Sequence, residues 1–140
     1  MVDRPSVLFV CVKNGGKSQI AAGLMRQVAG DAIAVDSAGT QPGPTINALS
    51  AASLAEVGID ISDQTPKPVT GDLVRAADVV VTLGRDAKVD PVAGTRVENW
   101  DTDEPSARGI EGMERMRLVR DDIATRVRDL AARLGVTPPV

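Results

Sequence analysis

The sequence predicts an α/β fold in which helices cover both faces of a four-stranded parallel sheet, giving three layers. Apolar runs of strand length alternate with helical patterns along the chain, which is typical of parallel sheets. The run Val79–Leu83 is continuous and rich in β-branched residues, as expected of a strand buried on both faces. The length of 140 residues suits one domain, so we expect a single domain over residues 1–140 with an ordered core of about 6–135.

Four strands are predicted from apolar runs that turn residues interrupt. The first, residues 7–12, ends where a glycine loop begins, and the second, residues 33–37, ends at Ala38-Gly39. The third is Val79–Leu83, and Arg96–Trp100 is the candidate for the fourth. Ligands of parallel sheets bind outside the carboxyl ends of the strands, so the glycine loop is the expected site.

Helices are predicted where apolar residues recur three and four positions apart. The first begins near Lys17 and places Ile20, Leu24 and Val28 on one face. Glycines end the second and the last helix, because glycine readily adopts the conformation that stops a helix. The predicted helices cover residues 17–29, 47–57, 72–77 and about 112–134.

Missing residue types exclude several classes of protein. The chain has no histidine, which excludes serine–histidine and cysteine–histidine pairs and imidazole metal ligands. Its single cysteine excludes an internal disulfide and a cysteine-rich metal site, so no metal is expected, and a lone free thiol favours the cytoplasm. A net charge of −3 argues against binding to nucleic acid. No apolar run approaches the ~20 residues that a membrane helix needs.

That cysteine, Cys11, stands between an apolar run and the glycine loop of residues 13–18, which leads into a helix. Backbone N–H groups in that order form a concave anion site, and the helix dipole adds positive potential. Because such a site stabilises a thiolate, Cys11 is a candidate nucleophile beside an oxyanion site. The alternative is a buried cysteine that serves as a small core hydrophobe.

Residues 11–19, Cys-Val-Lys-Asn-Gly-Gly-Lys-Ser-Gln, resemble the active-site loop of arsenate reductases built on the low-molecular-weight tyrosine phosphatase fold. The resemblance covers nearly the whole chain. It includes Ser-Ala-Gly-Thr at 37–40, the third strand, an acidic segment before proline at 100–105, and the final helix at 116–123. It implies a low-molecular-weight phosphotyrosine phosphatase-like fold and a single catalytic domain.

The resemblance also implies a role for each residue of the loop. Cys11 is the expected nucleophile, Ser18 supports its thiolate, and Lys17 neutralises oxygens of the substrate. Asn14 shapes the loop, with Ser37 as its expected partner. The backbone amides expected to bind a tetrahedral oxyanion are those of Val12, Lys13, Asn14, Gly15, Gly16, Lys17 and Ser18.

The expected general acid is Glu104, which precedes Pro105 at the position where the family has aspartate. Asp101 and Asp103 are rivals for the same role. The remaining alternative is that all three carboxylates belong to a solvated acidic turn.

Two departures from the family pattern bear on the reaction. Lys17 replaces an arginine, and because lysine offers a compact charge in place of two parallel hydrogen bonds, phosphatase activity is doubtful.

The thioredoxin-coupled branch has two further cysteines after the third strand, whereas residues 84–89 have none. A thiol from solution must therefore accept the arsenic. The lysine-containing loop resembles the mycothiol-coupled branch, so mycothiol is the expected co-substrate, with a mycoredoxin-type reductant. Arg85 and Lys88 are either contacts for mycothiol or ordinary surface charges.

A third departure concerns a cation beneath the loop. In the thioredoxin-coupled branch, potassium is held partly by two carboxylates, and their positions resemble Ala22 and Lys67 here. One hypothesis is that the Lys67 ammonium replaces the metal. The alternative is a solvated surface lysine.

The sequence thus predicts an arsenate reductase of the arsenate–mycothiol transferase type, with no bound cofactor. One rival is a protein-tyrosine or small-molecule phosphatase, against which stand Lys17 and the absence of tyrosine. The other is an oxyanion-binding protein that does not turn over.

Overall fold

A computed structural model describes residues 4–90 and 92–136, so the ends of the predicted domain lie outside the described residues. Within them, four strands form one parallel sheet, which confirms the predicted fold class. The third and fourth strands match their predicted bounds, whereas the first begins and ends one residue earlier. The second is shifted towards the glycine that follows it. The strands are β1 (Ser6–Cys11), β2 (Ala34–Gly39), β3 (Val79–Leu83) and β4 (Arg96–Trp100).

The four predicted helices are present, with small differences at their ends. The side chain of Asn47 accepts a hydrogen bond from the Ser50 amide at 2.9 Å, so the second helix begins one residue after its predicted start. Thr70 caps the third helix in the same way through the Leu73 amide. The helices are α1 (Lys17–Ala29), α2 (Ala48–Ala55), α3 (Gly71–Ala76) and α4 (Gly112–Arg133), and short 3₁₀ turns occupy Gly30–Ala32 and Pro105–Arg108.

Alternation along β1 divides the core into two layers. Val7, Phe9 and Cys11 face a larger cluster shared with α1, α2 and α4, whereas Leu8 and Val10 face a smaller one with α3. Phe9 packs against Trp100 of β4, with ring centroids 5.7 Å apart. Cys11 therefore lies on the same face of the sheet as the three longer helices. No helix among residues 4–90 and 92–136 combines the length and apolar character that a bilayer crossing requires.

The sheet order β2-β1-β3-β4 explains where a cleft opens. The chain leaves β1 towards β2 on one side and later returns to β3 on the other side. The loops after the strands therefore diverge at the carboxyl end of β1, which is where ligands of such sheets bind. Cys11 is the last residue of β1 and pairs in register with Gly39. The fold thus places the thiol at the predicted position.

Candidate active site

The loop between β1 and α1 folds tightly against the segments that follow β2. Asn14 adopts a left-handed conformation with φ of 54°, a backbone shape that asparagine tolerates better than most residues. Close approach requires glycine at two positions. A Cβ on Gly39 would lie 2.7 Å from the Val12 carbonyl oxygen, and one on Gly15 would lie 2.9 Å from the Thr45 carbonyl oxygen.

The Cys11 sulfur has two hydrogen-bonding neighbours in the loop. Its Sγ lies 2.9 Å from Ser18 Oγ and accepts a hydrogen bond from the Asn14 amide at 3.2 Å. The Asn14 side chain in turn donates to Ser18 Oγ at 2.7 Å. Because that bond occupies a lone pair of the hydroxyl, the serine proton is free to point at the sulfur. These polar contacts suit a thiolate, and a cysteine that only fills the core would not need them.

Asn14 is the centre of the network that holds the loop. Its Oδ1 accepts a hydrogen bond from the Lys67 amide at 3.0 Å, which fixes the orientation of the side-chain amide, and Gln19 donates to its carbonyl at 3.0 Å. Both ends of the amide are therefore engaged by Ser18 and Lys67. The expected pairing with Ser37 is not formed among the described residues, and Ser37 is buried on β2, in register with Phe9.

Lys67 supports the loop through its main chain, and its ammonium lies elsewhere. The carbonyl of Lys67 accepts from the Gly39 amide at 2.8 Å, next to the bond from its own amide to Asn14. Its ammonium forms an ion pair with Asp36, and the side chain is 44% exposed. A half-exposed ammonium bound to Asp36 does not replace a buried metal beneath the loop. The hypothesis that the Lys67 ammonium replaces the cation is therefore wrong. Ala22, at the other of the two positions, is a fully buried core residue.

Glu104 faces the loop from the opposite wall of the cleft. Its Oε1 forms an ion pair with Lys17, and its Oε2 lies 3.3 Å from the Arg115 guanidinium. Partial burial raises the pKa of Glu104, but the hydrogen bonds and charges of Lys17 and Arg115 outweigh it and hold the pKa below its usual value. Glu104 is therefore ionised at neutral pH in this arrangement.

The two rival carboxylates are engaged by arginines instead of the loop. Asp103 receives two hydrogen bonds from Arg108, at 2.8 and 3.1 Å, and the pKa of Asp103 is lowered chiefly by them. Asp101 is bound in the same manner by Arg85, which lowers the pKa of that carboxyl. Of the three carboxylates, Glu104 is the one bonded to a residue of the loop.

The cleft between these walls is far larger than a tetrahedral anion. Its volume is about 1010 Å³, the size of a pocket for a drug-sized ligand. Of the two cations considered as contacts for the co-substrate, Arg85 lines the cleft and Lys88 does not. Lys13 is exposed at the rim. A tetrahedral anion on the loop leaves room for a second molecule.

One charged residue of the cleft escaped the sequence analysis. Arg115 stands on α4 directly before Met116, which is buried and begins the apolar stripe of that helix. An arginine beside the first core residue of a helix lies at the edge of the buried face, where its charge reaches a cleft. The position of Arg115 directly before Met116 is therefore the sequence signal that could have identified it as a residue of the cleft.

Comparison with known proteins agrees with this geometry. The sequence pattern of the family described as "Low molecular weight phosphotyrosine protein phosphatase" matches residues 6–137. An arsenate reductase of Bacillus subtilis is 39% identical over 132 residues, covering 89% of this chain and 94% of that protein. Arsenate reductase 1 of Staphylococcus epidermidis is 33% identical over 136 residues, covering 95% of this chain and all (100%) of that protein.

Solved structures show the same relationship. A thioredoxin-dependent arsenate reductase of Corynebacterium glutamicum superposes with a TM-score of 0.81 at 36% identity, covering 94% of this chain. This chain spans 62% of the length of that solved chain. An arsenate reductase in the phosphate binding state gives a TM-score of 0.81 at 32% identity, covering 93% of this chain and 98% of the other. A tyrosine phosphatase of Erwinia amylovora, 16% identical with a TM-score of 0.79, shares the fold.

Proposed function

Because the chain belongs to the low molecular weight phosphotyrosine protein phosphatase family, and its relatives include arsenate reductases, we propose that it is an arsenate reductase of the transferase type. In this proposal Cys11 takes arsenate from the loop and passes it to mycothiol, and a mycoredoxin-type protein completes the reduction. One observation carries the proposal. The Cys11 sulfur is hydrogen-bonded to Ser18 and Asn14 at the start of a loop suited to an anion, and the 140-residue sequence holds no second cysteine.

The first step forms a bond between sulfur and arsenic. Arsenate occupies the loop, where the backbone amides and Lys17 neutralise its oxygens; preorganised donors of this kind contribute several kcal/mol. The Cys11 thiolate attacks arsenic(V), and a hydroxyl oxygen of the arsenate leaves as water after it takes a proton from Glu104, which becomes protonated when the oxyanion draws Lys17 away from it. Arsenic keeps its oxidation state in this step, and the product is a Cys11–arsenate adduct.

The second step regenerates the enzyme. A protein with two further cysteines can form a disulfide on its nucleophile, but a chain with one cysteine cannot do so. The mycothiol thiolate instead attacks the arsenic of the adduct, the bond between arsenic and Cys11 breaks, and Cys11 leaves as a thiolate. The cleft of about 1010 Å³ offers room for such a co-substrate beside the bound anion.

Reduction follows outside this enzyme. A thiolate of the mycoredoxin-type protein attacks the sulfur of the mycothiol–arsenate conjugate. The electron pair of the sulfur–arsenic bond then passes to arsenic, which leaves as arsenite, and the two sulfurs become a mixed disulfide. Two electrons move in this step, and the protein described here supplies none of them.

Mass spectrometry of the products tests the proposal. The wild-type protein should convert arsenate and mycothiol into the conjugate, and arsenite should form once a mycoredoxin is added. Cys11→Ser should form neither product while keeping the melting temperature of the wild type within a few degrees. Hydrolysis of p-nitrophenyl phosphate, measured in parallel, should be negligible.

Other outcomes would support the rival functions. Phosphate release from p-nitrophenyl phosphate that exceeds arsenate turnover would identify a phosphatase. Protection of Cys11 from alkylation by arsenate, without any product, would identify an oxyanion-binding protein. Arsenite formed without any thiol–arsenate conjugate would contradict the transfer step.

A further inference from the structure

Two cations from different parts of the fold bind the same carboxylate. Lys17, at the start of α1, contacts Oε1 of Glu104, while Arg115, on the first turns of α4, contacts Oε2 at 3.3 Å. Each oxygen therefore has a cation of its own. Lys17 and Arg115 are 21% and 27% exposed, so both contacts lie partly shielded from water inside the cleft.

An oxyanion in the loop competes with Glu104 for the ammonium of Lys17. The ammonium is a compact charge on a flexible stem, and a bound dianion carries more charge than one carboxylate. Lys17 is itself a residue of the loop, so its ammonium is close to any oxyanion that the loop amides bind. We therefore expect Lys17 to leave Glu104 when the anion binds, so the carboxyl group loses one of its two anchors when the reaction needs it in place.

The neighbouring charges offer no substitute for Lys17. Arg85 and Arg108 each make two hydrogen bonds to a carboxylate of their own, Asp101 and Asp103 respectively. Asp86 lines the cleft as a further negative charge.

Lys13 also lines the cleft but makes no ion pair with Glu104 in the described part of the chain. After Lys17 departs, Arg115 is thus the cation left in contact with Glu104 among residues 4–90 and 92–136.

We propose that Arg115 is a positioning residue, which holds the Glu104 carboxyl group over the mouth of the loop after Lys17 has moved to the oxyanion. The proposal rests on the proposed function, in which Glu104 gives a proton to the departing oxygen. The buried Met116 next to Arg115 anchors this turn of α4. A planar guanidinium holds one orientation of a carboxyl group better than a lysine would.

The proposal has a consequence for the pH profile. Departure of Lys17 raises the pKa of Glu104, and Arg115 limits that rise. A general acid works while it is protonated, so turnover falls as the pH rises through its pKa. Removal of Arg115 should therefore move the alkaline limb of kcat to higher pH and, because the carboxyl group is then poorly placed, lower the plateau.

Three variants test the proposal through steady-state arsenate turnover against pH. Arg115→Met should lower the kcat plateau about tenfold, change the KM for arsenate less than about twofold, and shift the alkaline limb to higher pH. Arg115→Lys should restore part of the kcat plateau and should return the alkaline limb most of the way to its position in the wild type. The control Arg117→Met removes an arginine of the same helix that pairs with Glu56, and it should leave kcat and the limb unchanged.

Two results would overturn the proposal. A raised KM for arsenate or mycothiol with an unchanged kcat would show that Arg115 binds a ligand directly. A lower kcat with an unmoved limb in Arg115→Met would show a merely structural role. If Arg115→Met does not fold, the polar variant Arg115→Gln takes its place, because it also removes the positive charge and should move the alkaline limb in the same direction.

A second measurement separates this inference from the proposed function. Calorimetry of inorganic phosphate binding, in two buffers of different ionisation heat, counts the protons taken up without any turnover. Near pH 6 the net proton uptake on binding should be larger in the wild type than in Glu104→Gln and larger still in Arg115→Met, even if the wild type has no arsenate turnover. Equal uptake by the wild type and Arg115→Met would overturn the role of Arg115, whatever the substrate is.

Discussion

The two walls of the cleft are built by different kinds of interaction. On the thiol side, residues 11–18, fully buried Asn14 and Ser18 are joined by hydrogen bonds between uncharged groups and main-chain amides. On the acid side, residues 101–104, each carboxylate is bonded to an arginine or lysine and remains partly exposed. Buried neutral networks fix one geometry, whereas exposed ion pairs are weak and screened by salt. The fold therefore fixes the loop of Cys11 rigidly and leaves Glu104 adjustable, and in the proposed reaction these two residues are the nucleophile and the proton donor.

The largest effect is expected from a change that breaks the thiol side at its tightest contact. In Gly39→Ala the new Cβ would lie 2.7 Å from the Val12 carbonyl oxygen and 3.0 Å from Asn14, so the backbone of the loop would have to shift. We expect a loss of about 1–3 kcal/mol in the free energy of unfolding, as for overpacked cores. Alkylation of Cys11 by iodoacetamide should change as well, since the loop is displaced. Denaturant unfolding and alkylation rates measure the two effects.

Gly43→Ala is the matched control for that variant. A Cβ on Gly43 would lie 3.8 Å from the Lys13 side chain, which is an ordinary contact. It should leave the unfolding free energy within about 0.5 kcal/mol of the wild type, as is usual for substitutions without strain. Equal losses in both variants would mean that close packing at Gly39 is not what fixes the loop.

The next effect concerns the acid side and distinguishes its three carboxylates. Glu104→Gln removes the proton donor of the proposed reaction, and kcat for arsenate should fall on the order of 10²-fold, the usual contribution of a general acid. Asp101→Asn and Asp103→Asn should each change kcat less than about threefold, because their carboxylates are bonded to arginines instead of the loop. A larger loss in Asp103→Asn than in Glu104→Gln would reassign the acid.

Stability should respond differently from activity in that series. Glu104 is 44% exposed and its ion pairs are screened, so Glu104→Gln should change the melting temperature little. The thiol side should show the opposite pattern, with stability and activity lost together. Parallel loss of stability in Glu104→Gln would remove the distinction between the two walls.

The same contrast explains which parts of the molecule the sequence could predict. The bounds of Val79–Leu83 and Arg96–Trp100 were predicted residue by residue, because apolar runs between turn residues report strands directly. The position of Cys11 at the end of β1 follows from the same local pattern. These features depend on neighbours in sequence.

Contacts between distant residues were not predictable in this way. The partner of the Asn14 side-chain oxygen is Lys67 rather than Ser37, because the main-chain amide of Lys67, 53 residues away, donates a hydrogen bond to it. Lys67 and Asp36 form an ion pair that only the packing of the segment before α3 against β2 brings together. Arg115 reaches Glu104 across the cleft by the same kind of long-range placement. Side-chain partners of this type are decided by tertiary structure, which a single sequence pattern does not encode.

The smallest expected effect lies outside the cleft, where an ion-pair cluster joins α2 to α4. Arg117 and Arg120 hydrogen-bond to Glu56 and lower its pKa from 4.5 to about 2. A carboxyl group whose pKa is lower in the folded state contributes stability above its unfolded pKa and loses that contribution as the pH falls through the folded value.

The melting temperature of Glu56→Gln should therefore lie slightly below that of the wild type at neutral pH, and the difference should shrink between pH 4.5 and 2. Glu114→Gln, on α4, is the control, because it removes a carboxylate that has no ion pair within the described residues. Since the cluster lies away from the loop, arsenate turnover should be unchanged in Glu56→Gln. A constant difference at every pH, or a loss of turnover, would show that this cluster does not behave as a separate surface element of the fold.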